Sequence, residues 1–245
     1  MILLKEDMIP ALERKDIYID KMLELDDLNP NSINVTLGNT LKTYTPFKIK
    51  RTKEGLKFIK TKEIVLDVKE KNKIYEHEIP EEGIILSPDM FYLGNTVEKV
   101  GSNKFVPMYE GRSSLARLGL ISHFSAGFGD VGFTSQWTLE ISVKEPLKIY
   151  RGMRIGQVYF VKGTSDYPKY MYEGKYNGQT GPQESKMYLD YVEECSDSFE
   201  CLIKKIQDLE DELRIIPKKE KEKIKIIQNE RRELNEKIKQ IKVGI

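Results

Sequence analysis

The chain has 245 residues, with 40 Lys and Arg against 39 Asp and Glu, a net charge of +1, 39% hydrophobic content and 32% charged content. This length suits one large domain, or a medium domain with an appendage. The balanced charge argues against polymeric nucleic acid as a partner, and no apolar run is long enough to span a membrane. The only histidines are His77 and His123, and Cys195 and Cys201 are separated by five residues rather than two, so the H-x-E…P-C-x-x-C ligand pattern of zinc deaminases is missing. No metal ligand set is expected from the protein. Any hydrolysis would run on carboxylates, hydroxyls and water. The start, MILLKEDMIP, lacks the length and cleavage site of a signal peptide, and the cysteines suggest no disulfide framework, so a cytoplasmic location is expected.

Residues 1–26 carry apolar positions near helical spacing and predict a short helical lead. A turn cluster, Leu28 to Ser32, precedes the alternating run INVTLG at 33–38, which reads as a strand. From there to about residue 162, short β-type runs are broken by Gly, Pro and Asn: 58–59, 63–66, 83–86, 91–93, 137–143 and 155–160. That spacing predicts a mainly β fold, a barrel or jelly roll, rather than βαβ units. The Lys- and Glu-rich span 51–78 reads as exposed hairpins with a solvated face.

Residues 109–140 hold the densest chemistry. Arg112, Ser113, Ser114 and Arg117 fall within six positions. Guanidinium forks, hydroxyls and the N-terminus of a short helix over 113–118 would suit a phosphate chain; a surface turn with a capped helix fits the same residues. Two Gly- and aromatic-rich turns follow, then the single Trp137 and an isolated carboxylate, Glu140. Beyond Val161 periodicity is lost, and residues 166–182 form an arm rich in Tyr, Lys, Gly and Gln that could stay loose or fold over an anion. From Phe199 apolar residues recur at Leu202, Ile206, Leu209, Leu213 and Ile216, then at Ile224, Ile227, Leu234, Ile238 and Ile241. The beat continues through Arg231, and Pro217 stands between the two runs. This predicts two amphipathic helices, as a hairpin or a subunit-to-subunit coiled coil. The expected division is 1–190 for the β domain and 196–245 for the helical extension.

The runs EGRSSLARLGL, SAGFGDVGF and QWTLEIS resemble the dCTP deaminase branch of the trimeric dUTPase-like superfamily. NSINVTLGN at 31–39, PLKIYRGMRIGQ at 146–157 and GKYNGQTGP at 174–182 resemble further motifs of that family in the same order. The resemblance covers about residues 1–190 and leaves out the tail. It implies a distorted β-barrel or jelly-roll protomer in a homotrimer with active sites between subunits, deaminating dCTP without zinc. By carry-over, Glu140 is the general acid/base and Ser113 holds the attacking water, both near neutral pH chemistry. Arg112, Ser114 and Arg117 fall in the triphosphate segment. Ala126 offers its backbone to the base edge, Asp130 contacts the deoxyribose, and Thr138 and Leu139 line the pocket wall. Tyr170, Lys175 and Gln179 belong to a closing arm, and Mg²⁺ would ride on the triphosphate.

The run Ala126-Gly127-Phe128-Gly129-Asp130 matches the A-G-F/W-x-D form of members that continue to dUMP and pyrophosphate, so Gly127 and Phe128 mark the bifunctional type. The alternatives are a deaminase that stops at dUTP, a plain dUTPase, and a nucleotide-sensing regulator acting through the tail. Four positions depart from the family pattern. Asn34 and Thr36 replace an acid and a base, which suggests a lost ion pair. Gly129 and Val131 replace Ile and Pro, which predicts a looser base-reading hairpin.

Overall fold

The computed structural model describes residues 1–165, 168–191, 199–215 and 221–243. The chain divides into two compact units, Met1–Lys186 and Met187–Ile245. In the first unit the elements run α1 (Lys5–Glu13), β1 (Ile17–Ile19), β2 (Leu28–Asn29), β3 (Ser32–Thr36), β4 (Thr40–Thr43), β5 (Phe47–Arg51) and β6 (Leu56–Lys60). They continue with β7 (Tyr75–Glu78), β8 (Ile84–Leu86), β9 (Tyr92–Ser102), β10 (Val106–Gly111), α2 (Ser113–Ala116) and β11 (Leu120–Ile121). Three long or core strands close the unit: β12 (Thr134–Val143), β13 (Leu147–Ile149) and β14 (Arg154–Val161).

Among the described residues the strands form three sheets. One has the order β11-β12-β9-β4-β7, with β1 also pairing β9; the others run β10-β14-β3-β2 and β13-β8-β6-β5. Pairing is antiparallel except between β6 and β8. The three sheets share one hydrophobic core that includes Ile33, Val35, Phe58, Tyr92, Trp137, Ile141, Val158 and Phe160. Each such side chain contributes about 1.5–3 kcal/mol by leaving water. The mainly β expectation is met.

Strand β12 positions the site. Ser135, Trp137, Leu139, Ile141 and Val143 are buried, while Thr134, Gln136, Thr138, Glu140 and Ser142 stay partly exposed. This is the period-2 alternation of a strand with one face on the core. Its pairing with central β9 is regular up to Gln136↔Lys99 and resumes at Thr138↔Asn95, so β9 carries extra residues opposite Trp137.

Two expectations are corrected. The helical lead stops at Glu13, because Lys15 takes a left-handed φ of 62° and turns the chain so that Ile17 pairs with Ser102. Residues 63–66 form no strand: Val65 is 96% exposed and finds no ladder partner. Asn34 and Thr36 each have their own partners. Thr36 donates its N–H and hydroxyl to the two oxygens of Glu98, each at 2.8 Å, and Glu98 is 1% exposed. Lys21 bridges from Glu98 at 3.7 Å to buried Asp27 at 3.1 Å, and Arg154 reaches Asp27 at 3.7 Å. Burial acts to raise the Asp27 carboxyl, but the Lys21 bond and the nearby cations outweigh it, and the net shift is down.

In the second unit α3 (Phe199–Ile215) and α4 (Lys221–Val243) pack against each other. Leu202 and Ile227 are buried, and Ile206, Leu209, Leu213, Ile224, Leu234 and Ile238 are half-buried along the seam. Arg231 keeps its place in that seam by pairing with Glu210 at 2.5 Å. The expected roles of Ile216, Pro217 and Cys195 fall outside the described residues. No described helix is long and apolar enough to cross a membrane.

Candidate active site

The partly exposed face of β12 opens on a cavity of about 470 Å³ within the first unit. Glu140 and Thr138 line it from β12, and Ala126, Phe128 and Asp130 line it from the segment after β11. That segment is extended and runs beside β10. The Tyr109 N–H donates to the Gly127 carbonyl at 2.7 Å, the Gly129 N–H donates to the Pro107 carbonyl at 2.9 Å, and Met108 bridges Phe128. Residues 126, 128 and 130 are therefore exposed on the cavity side, while Gly127 and Gly129 are buried. Both inner positions require glycine. A Cβ on Gly127 would lie 2.6 Å from the Tyr109 carbonyl oxygen, and one on Gly129 would lie 2.6 Å from Trp137 Cη2 and 2.8 Å from the Pro107 carbonyl oxygen. The expected loosening at Gly129 does not occur. The indole fills the space that a side chain there would take.

Glu140 is half-exposed, and its Oε2 accepts the Phe124 N–H at 3.0 Å. A carboxylate held by one backbone donor at a cavity wall can exchange protons with a bound water. Leu139 is 1% exposed and sits in the core, because it occupies the other phase of the β12 alternation. Only its backbone could meet a ligand.

The arm folds over the cavity. The Gln179 side-chain N–H donates to the Gln136 carbonyl at 2.8 Å and to Thr138 Oγ1 at 3.4 Å. The Gly181 N–H donates to Gln136 Oε1 at 2.6 Å, and the Gln183 N–H donates to Thr138 Oγ1 at 3.0 Å. Gln136 and Thr138 thus clip the arm to the same strand face that presents Glu140. Tyr172, Tyr176, Gln179 and Glu184 become cavity walls. Tyr170 does not; it is 91% exposed, and Tyr172 takes the inward place two residues on. Lys175 is half-buried on the arm, and its carbonyl accepts the Lys186 ammonium at 2.7 Å.

Arg112, Ser113, Ser114 and Arg117 lie outside this cavity. Ser113 and Ser114 are exposed on α2, and Arg117 is exposed just after it. Arg112 is half-buried because its guanidinium donates to Oδ1 of buried Asn34, whose own amide donates to the Asp26 carbonyl at 3.1 Å. His123 packs edge-on against Tyr109 at 5.4 Å, with Nε2 3.5 Å from Glu110. The sequence reading grouped these residues with Glu140; one protomer presents them as two separate surfaces.

Several walls were missed. Tyr44, Phe91 and Leu93 come from the β4–β5 connection and the start of β9, far from the motif in sequence. Phe91 and Phe124 meet at 5.7 Å, capping the end near Glu140. Glu184 enters with Lys42, 3.0 Å away. Burial raises its carboxyl, but the Lys42 hydrogen bond outweighs this and the net shift is down. Tyr44 is pushed up, chiefly by burial, and its hydroxyl oxygen accepts the Ser185 N–H at 2.8 Å. Phe133 and Trp137 stand inside the recognised stretch, but no local pattern distinguished them from core aromatics.

The chain is similar to curated proteins named "dCTP deaminase, dUMP-forming". The one from Clostridium acetobutylicum is 45% identical over 178 residues, covering 73% of this chain and 92% of that protein. The one from Leptospira biflexa is 41% identical over 164 residues, covering 67% and 84%, and the one from Cytophaga hutchinsonii is 40% identical over 188 residues, covering 75% and 98%. Among solved structures, 2'-deoxycytidine 5'-triphosphate deaminase from Agrobacterium tumefaciens aligns with a TM-score of 0.47 and 17% identity, covering 66% of this chain and 48% of that one. The dCTP deaminase-like family matches residues 2–163, and the chain belongs to that family.

Proposed function

We propose that this protein hydrolyses dCTP at C4 of cytosine and carries the product on to dUMP and pyrophosphate. The observation that carries the reading is the grouping of Glu140, Ala126, Asp130 and Thr138 on one nucleoside-sized cavity. In this reading Glu140 takes a proton from water as the oxygen adds to C4, and passes that proton to N3. It then takes the proton of the new C4 hydroxyl and passes it to the amine. The C4–N bond breaks, ammonia leaves, and uracil retains N3–H and the C4 carbonyl. A second water, positioned by Asp130, attacks the α-phosphorus of dUTP and releases pyrophosphate. Gly127 lets the Ala126–Asp130 segment lie close to β10, which presents the Ala126 backbone to the base, and Phe128 covers the cavity beside it.

The phosphate end completes the site in a homotrimer. Ser113, Ser114, Arg112 and Arg117 of one protomer would face the cavity of the next, with Ser113 on the attacking water. The exposure of Ser113, Ser114 and Arg117 at and just after α2, away from the protomer's own cavity, supports that assignment. Lys175 and Gln179 would close the arm over the triphosphate. In this reading Mg²⁺ is held by phosphate oxygens and water. Such an ion offsets triphosphate charge. Zinc has no role in the reading, and the enzyme would work in the cytoplasm. The helical pair adds a self-contact or a partner contact.

The test is product analysis. Purified protein with dCTP and Mg²⁺ should release ammonia, dUMP and pyrophosphate in equal amounts. Accumulation of dUTP would leave a one-step deaminase. Tight dCTP binding without turnover would favour the sensor reading.

A further inference from the structure

Trp137 is placed more rigidly than packing alone requires. It sits where the β12–β9 ladder breaks, and its backbone N–H donates to Thr96 Oγ1 at 2.9 Å instead of to a strand carbonyl. Its indole N–H donates to the Val100 carbonyl at 3.0 Å. Two hydrogen bonds thus fix both the root and the plane of the ring. Phe133 meets it edge-on at 5.4 Å and Tyr109 stacks at 6.2 Å. The far corner of the ring, Cη2, reaches the glycine between Phe128 and Asp130, where any Cβ would come within 2.6 Å. Trp137, Gly129 and Phe133 all line the cavity that holds Glu140 and Asp130.

We propose that Trp137 is a specificity-determining residue: its indole, admitted by Gly129, is the rigid apolar wall that sets the cavity's width between Asp130 and Thr138. It would exclude nucleosides enlarged at the sugar 2′ position or at base C5. This rests on the reading of the cavity as the nucleotide site. A rigid wall discriminates better than a mobile one, because a misfitting methyl group or an unpaired buried hydroxyl cannot be accommodated by a rotamer change.

The chain contains one Trp, so its emission reports this wall directly. In full-length protein carrying Glu140→Gln to prevent turnover, dCTP with Mg²⁺ should change the tryptophan emission saturably, with the same midpoint that calorimetry gives for binding. In the active protein, Trp137→Phe removes the outer ring. It should narrow the preference in kcat/KM for dCTP over CTP, over 5-methyl-dCTP, or over both, by about tenfold or more, mainly through KM. Emission that stays constant while calorimetry shows saturation overturns the proposal, and this needs no substitution at position 137. Unchanged selectivity against both analogues in a folded Trp137→Phe protein also overturns it, leaving Trp137 a core residue. Absence of any nucleotide binding or turnover would instead strike the functional reading on which the proposal stands.

Discussion

Glu140→Gln separates the chemistry of the site from its architecture. The native carboxylate accepts one hydrogen bond, from the Phe124 N–H at 3.0 Å, in a partly exposed position. Glutamine has the same length, and its amide oxygen can accept that bond. Only the charge assistance is lost, about 0.5–1 kcal/mol for an exposed pair. For a chain of this size the melting temperature should fall by no more than about 4 °C. The catalytic loss is of another order. A positioned acid/base is worth about 10²–10⁴-fold, and in the proposed mechanism one group serves successive proton transfers, so about 10³-fold or more is expected, near 4 kcal/mol. Ammonia release measured at saturating dCTP reads kcat, and calorimetry should show dCTP affinity within about tenfold of wild type. Glu140→Asp keeps the charge but retracts it by roughly one bond length, and a misplacement near 1 Å costs about 10²-fold. It should fall between the two. A Glu140→Gln protein with wild-type melting and kcat within tenfold of wild type would refute the acid/base assignment.

Gln136→Ala removes the Gly181 N–H acceptor at 2.6 Å and the bond to the Val97 carbonyl at 2.8 Å, so the arm should release. Amide exchange at Gly181 should quicken by about tenfold or more, KM for dCTP should rise, and global stability should change by less than about 1.5 kcal/mol. His77 packs edge-on against Phe47 and Phe58, and burial lowers its pKa from 6.5, with Glu78 pulling weakly the other way. The unfolded chain therefore binds a proton more readily than the folded one just below about pH 6.5. Stability should rise with pH through that value and drop below it, until the folded imidazole itself is protonated. His77→Phe should flatten the part of the melting-temperature profile that comes from this residue. Glu98→Ala strands the Thr36 N–H and hydroxyl and leaves Lys21 with Asp27 alone. Urea midpoints should report a loss of about 2–4 kcal/mol, and Glu98→Gln should cost less because it keeps an acceptor for Thr36.

What the sequence revealed, and what it hid, follows from how far each cause acts along the chain. The β12 alternation is local, so the partly exposed face that carries Thr138 and Glu140 could be read directly. The short helix after Arg112 was legible for the same reason. The walls supplied by Tyr44, Phe91 and Glu184 depend on pairings between distant strands and on the arm's return, and no window of sequence contains those causes. The end of the helical lead turned on the single left-handed residue Lys15, a conformation that lysine composition does not announce. Gly129 is the most instructive case. Taken alone, a glycine in place of a larger residue implies slack. In the fold it implies the opposite, because Trp137 lies eight positions on, across the turn that ends at Phe133, and its indole occupies the missing volume. Neither residue has a clear meaning without the other, and their pairing becomes visible only once β10 and β12 are brought together. Departures from a family pattern are therefore better read as possible compensating pairs than as separate losses. Asn34 illustrates the point again: as a neutral amide it still holds the Arg112 guanidinium.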